Sequence, residues 1–281
     1  MPILILVAQF RVGDFEVRVK VLLAAFFVTM LTSPGFTQYG PFPAWQVDAS
    51  LPLQYGTNSL LAPVDPRPDF FVSPSLKLSA NGDLDSTTSI SFYGLVAPDK
   101  FARVREADDG SLIAGGTLQK VIGNFGIGAT YEHNWIYDGV FRTLLFQAND
   151  FSAFGGYSYK SGPLSLGPSL MVTYREADLA AAERILLTAK LAITYKLTQS
   201  LLLFVTPRLR YYNFTSGVTS GRRDTRPSII GGLTYQINPD LGLTGSIEYD
   251  QRWSNVTGNN FNNTVFLVSL DFTHLYAQAS K

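Results

Sequence analysis

The chain has 281 residues with 22 basic and 22 acidic side chains, so no net charge draws it toward nucleic acid or an acidic partner. Charged residues make up 16%, against about 25% in soluble domains, while aromatics reach 13%. Outside an N-terminal leader no run reaches the roughly 18 apolar residues that a membrane helix needs, and the absence of cysteine excludes disulfides, thiol catalysis and cysteine-ligated metals.

The leader comes first. Val21 to Leu31 is apolar, follows Arg18 and Lys20, and is too short to span a bilayer, so it reads as the hydrophobic region of a signal peptide. The small polar stretch Thr32 to Gln38 is the expected cleavage region, with the mature chain starting near Gln38. This divides the chain into a signal-peptide region, 1–37, and a barrel domain, 38–281. Asp14 and Glu16 do not suit the front of a signal peptide, so residues 1–17 read as the product of a start codon placed too early. A longer N-terminal anchor is the alternative.

Behind the leader the chain alternates apolar and polar residues. In Leu241–Asp250 the odd positions are Leu, Leu, Gly, Ile and Tyr and the even ones are Gly, Thr, Ser, Glu and Asp. A strand sends neighbouring side chains to opposite faces, so each such stretch has one apolar and one polar face. Twelve strands are expected, starting near Trp45, Phe70, Thr87, Ser111, Phe125, Asp150, Leu164, Arg184, Leu201, Pro227, Leu241 and Thr264. Short connections carrying turn residues, such as Gly123-Asn124, Ser161–Pro163 and Asn238–Asp240, alternate with longer ones. The longer ones are 57–69, 98–110, 138–149, 176–183, 215–226 and 254–263. Alternation of this kind, with an even strand number and a leader, predicts an all-β, up-and-down antiparallel transmembrane barrel. Its short turns would face the periplasm and its long loops the outside.

Aromatics on the apolar parity (Trp45, Tyr55, Trp135, Tyr137, Tyr195, Tyr211, Tyr235, Tyr249 and Trp253) would form interfacial girdles. A soluble β-sandwich also alternates, but its outer face would carry more charge. Pro74, Pro168 and Pro207 fall inside expected strands, where a missing N–H breaks the ladder. Pro207 marks a bulge or bend, or a wrong register.

Over about residues 44–276 the chain resembles porin-like outer-membrane β-barrels of Gram-negative bacteria. The resemblance rests on this architecture and on Tyr195-Lys-Leu-Thr-Gln-Ser-Leu201 and Tyr235-Gln-Ile-Asn-Pro-Asp-Leu241, which look like periplasmic turns of that class. Thr264–Phe272 looks like the C-terminal strand read by the barrel-assembly machinery, except that Ala277–Lys281 follows the terminal aromatic. The resemblance implies an outer-membrane location, contact with lipid and lipopolysaccharide, and passive diffusion of small polar or charged solutes.

On the polar parity, strands seven to nine carry Arg175, Arg184, Lys190, Lys196, Arg208 and Arg210. Strands eleven, twelve and one carry Glu248, Asp250, Asp271 and Asp48, and strand five carries Glu132. One arc of the lumen would be basic and another acidic. Arg175, Lys190, Arg208, Arg210, Glu132, Glu248 and Asp250 are the expected pore-lining residues. The opposing reading is that these charges pair across a narrow interior and plug it, leaving a structural, adhesive or surface-interaction protein. An outer-membrane lipid hydrolase is the third reading. It meets the difficulty that His133 and His274 belong to opposite rims and that no Gly-x-Ser-x-Gly elbow is present. No catalytic residue, cofactor or metal is expected. Loop arginines Arg222, Arg223 and Arg226 suit lipopolysaccharide phosphates, Glu176–Glu183 suits one helical turn, and the apolar loop 138–149 suits a constriction, a neighbour contact or an extension of its two strands.

Overall fold

A computed structural model describes residues 11–12, 15–16, 44–62 and 65–277. The signal-peptide and cleavage readings, apart from the four residues 11–12 and 15–16, lie outside the described residues. The chain divides into two units, Met1–Pro41 and Phe42–Lys281. In the first, Arg11–Val12 pairs antiparallel with Phe15–Glu16.

The second unit is one closed sheet. Its strands are β1 (Ala44–Gly56), β2 (two segments, Asp69–Val72 and Ser75–Asp83), β3 (Thr88–Phe101), β4 (Asp109–Ile122), β5 (Phe125–Asp138) and β6 (Thr143–Tyr157, continued by Tyr159–Ser161). They are followed by β7 (Leu164–Ala177), β8 (Arg184–Lys196), β9 (Leu201–Phe214), β10 (Arg223–Gln236), β11 (Leu241–Ser254) and β12 (Phe261–Ala277). Each pairs antiparallel with its neighbours in sequence, and β12 closes on β1 from Val265↔Gly56 to Ala277↔Ala44. Closure leaves no unpaired edge, which is the condition for a sheet to cross a membrane. No described helix is long and apolar enough to cross one.

The expected parity holds strand by strand. Leu51 and Leu53 on β1, Phe125, Ile127 and Tyr131 on β5, Leu170, Val172 and Tyr174 on β7, and Ile247 and Tyr249 on β11 are exposed on the outer face. Lipid, not a protein core, covers such a face, so the usual sign of burial inverts. Among the described residues only Ala80, Phe101, Val104, Ala148, Ala182 and Phe261 are buried apolar side chains, and no large side chain is fully buried.

Aromatics that point inward lie flat on the wall. Tyr93 on β3 faces Gly115 across the ladder, Phe154 on β6 faces Gly128, and Phe204 on β9 faces Gly232. A Cβ at Gly115 would come within 2.8 Å of the Tyr93 ring, and one at Gly128 within 2.4 Å of Phe154. Glycine removes the side chain that would push each ring toward the barrel axis.

The six loops and five turns alternate as expected, but several strands run further into the loops than expected. The apolar loop 138–149 shrinks to residues 139–142, because β6 starts at Thr143 rather than near Asp150. The strands simply extend outward, and a register shift at Ile136/Tyr137 absorbs the irregularity. β10 starts at Arg223 rather than near Pro227, which takes Arg226 out of the loop. Pro207 marks neither a bulge nor a slip: Lys190↔Arg208 and Ile193↔Val205 keep one register on either side of it, and Pro207 still pairs with Ile229 on its other flank. Pro74 sits in the break between the two segments of β2. The expected turn in 176–183 appears as a single 3₁₀ turn at Ala180–Ala182.

Polar side chains seal the loop end. The Asp69 carboxylate accepts the backbone N–H groups of Arg103 (2.7 Å) and Val104 (2.8 Å), and Asp108 accepts that of Phe101 (2.8 Å). Phe71 and Phe101 stack with centroids 4.6 Å apart.

Candidate pore wall

All seven residues singled out from the sequence lie on the face opposite the exposed apolar set, and the ladder shows how they meet. On β7, Arg175 donates Nε–H to Asp150 Oδ1 (2.7 Å) and Nη2–H to Oδ2 (2.5 Å), a fork against a carboxylate that is almost wholly buried. Asn134 on β5 donates to the same Asp150 (3.2 Å). From β9, Arg208 crosses to Glu248 on β11 (2.7 Å) and also donates to Ser228 (3.1 Å). Arg210 reaches Asp250 (3.4 Å), which also takes Arg226 Nε–H (2.8 Å). Glu132 accepts the Tyr93 hydroxyl, and Tyr93 lies beneath Lys77 Nζ, 4.4 Å from the ring centroid. Lys190 meets no carboxylate among the described residues.

The expected separation into a basic and an acidic arc is therefore corrected. Because only β10 separates β9 from β11, Glu248 and Asp250 neutralise the same wall that carries Arg208 and Arg210. Asp48 and Asp271, on the other side of the closure, are held by hydroxyls and an amide: Asp48 by Gln46 and Thr273, Asp271 by Ser50 and Ser269.

The loop arginines are also re-sorted. Arg222 binds Asp224, which is almost wholly buried, and Arg226 binds Asp250, so neither is free for a phosphate. Arg223 stays exposed. Sequence reasoning missed Asp150, at an expected strand start, and Asp224, inside the expected loop 215–226, and it assigned Arg226 to that loop rather than to the wall. Their signal was parity with Ser152, Ser228 and Ile230, hidden by misplaced strand ends.

Toward the periplasm the wall opens into a cavity of about 740 Å³ lined by Gln119, Gly126, Gly156, Ser169, Lys160 and Lys190. The two histidines sit apart. His133 Nδ1 contacts Asn149 (2.9 Å) on the outer face, and His274 Nδ1 contacts Asp240 (3.0 Å) beside a periplasmic turn. No cluster of metal-ligating side chains occurs among the described residues.

Residues 176–274 match the family model described as "Putative beta-barrel porin 2". No curated protein matches the chain. Among solved structures, an outer-membrane channel from Pseudomonas putida F1 superposes with a TM-score of 0.59 at 12% identity, covering 87% of this chain and 99% of that one. The NanC porin aligns over 80% of this chain and 98% of its own at 11% identity, TM-score 0.47. An anion-selective porin from Comamonas acidovorans aligns over 82% and 98% at 8% identity, TM-score 0.45. The first of these shows a shared fold; the other two superpose too loosely to add to it. The closed twelve-stranded sheet with its apolar outer face is a transmembrane β-barrel of the bacterial outer-membrane type, and over residues 176–274 the chain is similar to the porin family model.

Proposed function

We propose that the protein is a passive channel for small polar or charged solutes. The observation that carries this is the inner face. It is built from serine, threonine, amide and charged side chains, and no large side chain is fully buried among the described residues. A filled barrel would bury large apolar side chains along its axis. Here the inward rings of Tyr93, Phe154 and Phe204 lie against glycines instead. In this reading Arg175, Lys190, Arg208, Arg210, Glu132, Glu248 and Asp250 line the path, and outer-membrane lipid, lipopolysaccharide and the assembly machinery are the partners of the outer face and of biogenesis.

A second reading draws on the ion pairs. Asp150 and Asp250 are almost wholly buried beneath guanidinium groups toward the loop end, which is the arrangement of a plug. Swelling of proteoliposomes separates the two. Refolded protein with heat-dependent gel mobility should admit a small neutral sugar or an amino acid faster than protein-free liposomes. Folded protein that leaves the liposomes impermeable would establish the plugged barrel.

A further inference from the structure

Three cross-strand pairs on the inner wall oppose cation to cation: Arg175↔Arg184, Lys190↔Arg208 and Arg210↔Arg226. Directly opposed like charges cost stability in a sheet, so such a series needs counter-charge. Asp150 supplies it to Arg175, Glu248 to Arg208, and Asp250 to Arg210 and Arg226. Arg184 makes no salt bridge of its own among the described residues, and Asp150, already forked by Arg175, is the carboxylate that acts on it from a distance. Its guanidinium carbon instead lies 5.5 Å from the Tyr212 ring centroid and 6.0 Å from that of Phe214, both on β9. Those two rings are nearly parallel, 19° apart, with centroids separated by 6.4 Å. Further down the same strand, Arg210 Nε–H is buried with no hydrogen-bond acceptor.

One stretch of wall thus offers a guanidinium with no salt bridge of its own, the Tyr212 ring beside it, the Phe214 ring shared with Arg222 (4.8 Å to the centroid), and an unsatisfied donor at Arg210, about 13 Å along the strand from Phe214 at roughly 3.3 Å per residue. A guanidinium fork matches a carboxylate in two parallel hydrogen bonds, and aromatic faces take flat apolar groups. We propose that Arg184, Tyr212 and Phe214 form a binding site for a small organic carboxylate that carries a flat ring, with Arg210 as the next donor along its path. This rests on the channel reading for its place in permeation, though not for binding itself. The carboxylate would sit on Arg184 and its ring against Tyr212. Chloride, with no flat face, would pass without dwelling. Inorganic phosphate would gain the fork but not the rings.

The test uses the refolded full chain in a planar bilayer in potassium chloride, with benzoate, acetate or inorganic phosphate added on the loop side. Benzoate should interrupt the current in a concentration-dependent way, at concentrations at least tenfold below acetate or phosphate. Arg184→Ala and Tyr212→Ala should each raise the blocking concentration about tenfold, whereas Arg223→Ala, at an exposed rim position, should leave it unchanged. Equal block by acetate, equal block by phosphate, or block indifferent to both wall variants would overturn the site. Equilibrium dialysis of labelled benzoate against folded protein in detergent keeps the two claims apart. Conduction without saturable binding sinks the site and leaves the channel standing. Binding lost in Arg184→Ala, from protein that does not conduct, supports the site and sinks the channel.

Discussion

Asp250 is the residue whose loss the wall should feel most. Its carboxylate is 5% exposed and serves two guanidinium groups that face each other across β9 and β10. Asp250→Asn keeps the volume and removes the charge. Two unit charges about 5 Å apart at an effective dielectric near 20 repel by about 3 kcal/mol. Each charge-assisted hydrogen bond that becomes neutral gives up about 1 kcal/mol more. Relaxation of the two arginines toward water in the lumen offsets part of this, and breaking a buried pair typically costs about 3–5 kcal/mol. The expected loss is therefore about 3 kcal/mol, read as a lower urea midpoint for unfolding from lipid vesicles followed by tryptophan fluorescence. Asp250→Asn combined with Arg226→Met should recover more than about 1 kcal/mol relative to the sum of the single changes, because the repelling partner is gone. The single variant should also conduct with stronger anion preference. A loss below about 0.5 kcal/mol with unchanged selectivity would refute the idea that Asp250 holds this wall together.

Charge reversal at Arg208 and Arg210 to glutamate should move the zero-current potential in a salt gradient toward cations; no movement would remove both residues from the path. Gly115→Val should lift Tyr93 off the wall and break its bond to Glu132, lowering single-channel conductance. Conductance at the wild-type level from the folded variant would contradict the flat-lying ring. Val140 holds φ of 49° in the tight loop 139–142, a left-handed conformation that a β-branched residue resists. Val140→Gly should therefore raise stability by about 1 kcal/mol in the same urea assay. In the turn before β3, the Asp85 carboxyl is lowered to about 2, chiefly by the Thr87 N–H and then by side-chain bonding from Thr87. A depressed folded value means that its contribution is present above the ordinary 3.8 and fades as pH falls through about 2. Carboxyl titration by NMR should place its midpoint well below those of ordinary aspartates.

The barrel was legible because the membrane writes itself on every strand in the same way: apolar out, polar in, turn residues between. Leu241–Asp250 alone contains the rule. Strand ends were less legible where a loop is apolar. Val140, Phe141, Leu144, Leu145 and Phe146 continue the strand chemistry beyond the membrane, and nothing local marks where lipid stops. That is why β6 begins seven residues before Asp150. The expected strand start near Pro227 fell four residues late, and the ladder to β11 merely skips the proline: Thr225↔Trp253 and Ser228↔Asp250 keep one register. The inner wall was half legible. Parity assigns a face, but which charges meet depends on stagger around the barrel. That stagger brings Glu248 level with Ile230 and so within reach of Arg208, a relation no single strand contains. The glycines opposite Tyr93, Phe154 and Phe204 are likewise cross-strand relations, visible only once pairs such as Tyr93↔Gly115 are known.

Whether the lumen conducts separates a channel from a plugged barrel. Single-channel recording of the refolded chain in a planar bilayer, with the zero-current potential measured across a salt gradient, tests it most directly. A conducting lumen should give discrete, long-lived conductance steps with an anion preference that Asp250→Asn strengthens and Arg208→Glu weakens. Silence from protein proven to be folded and inserted would contradict it, and the paired charges would then be the plug of a closed barrel.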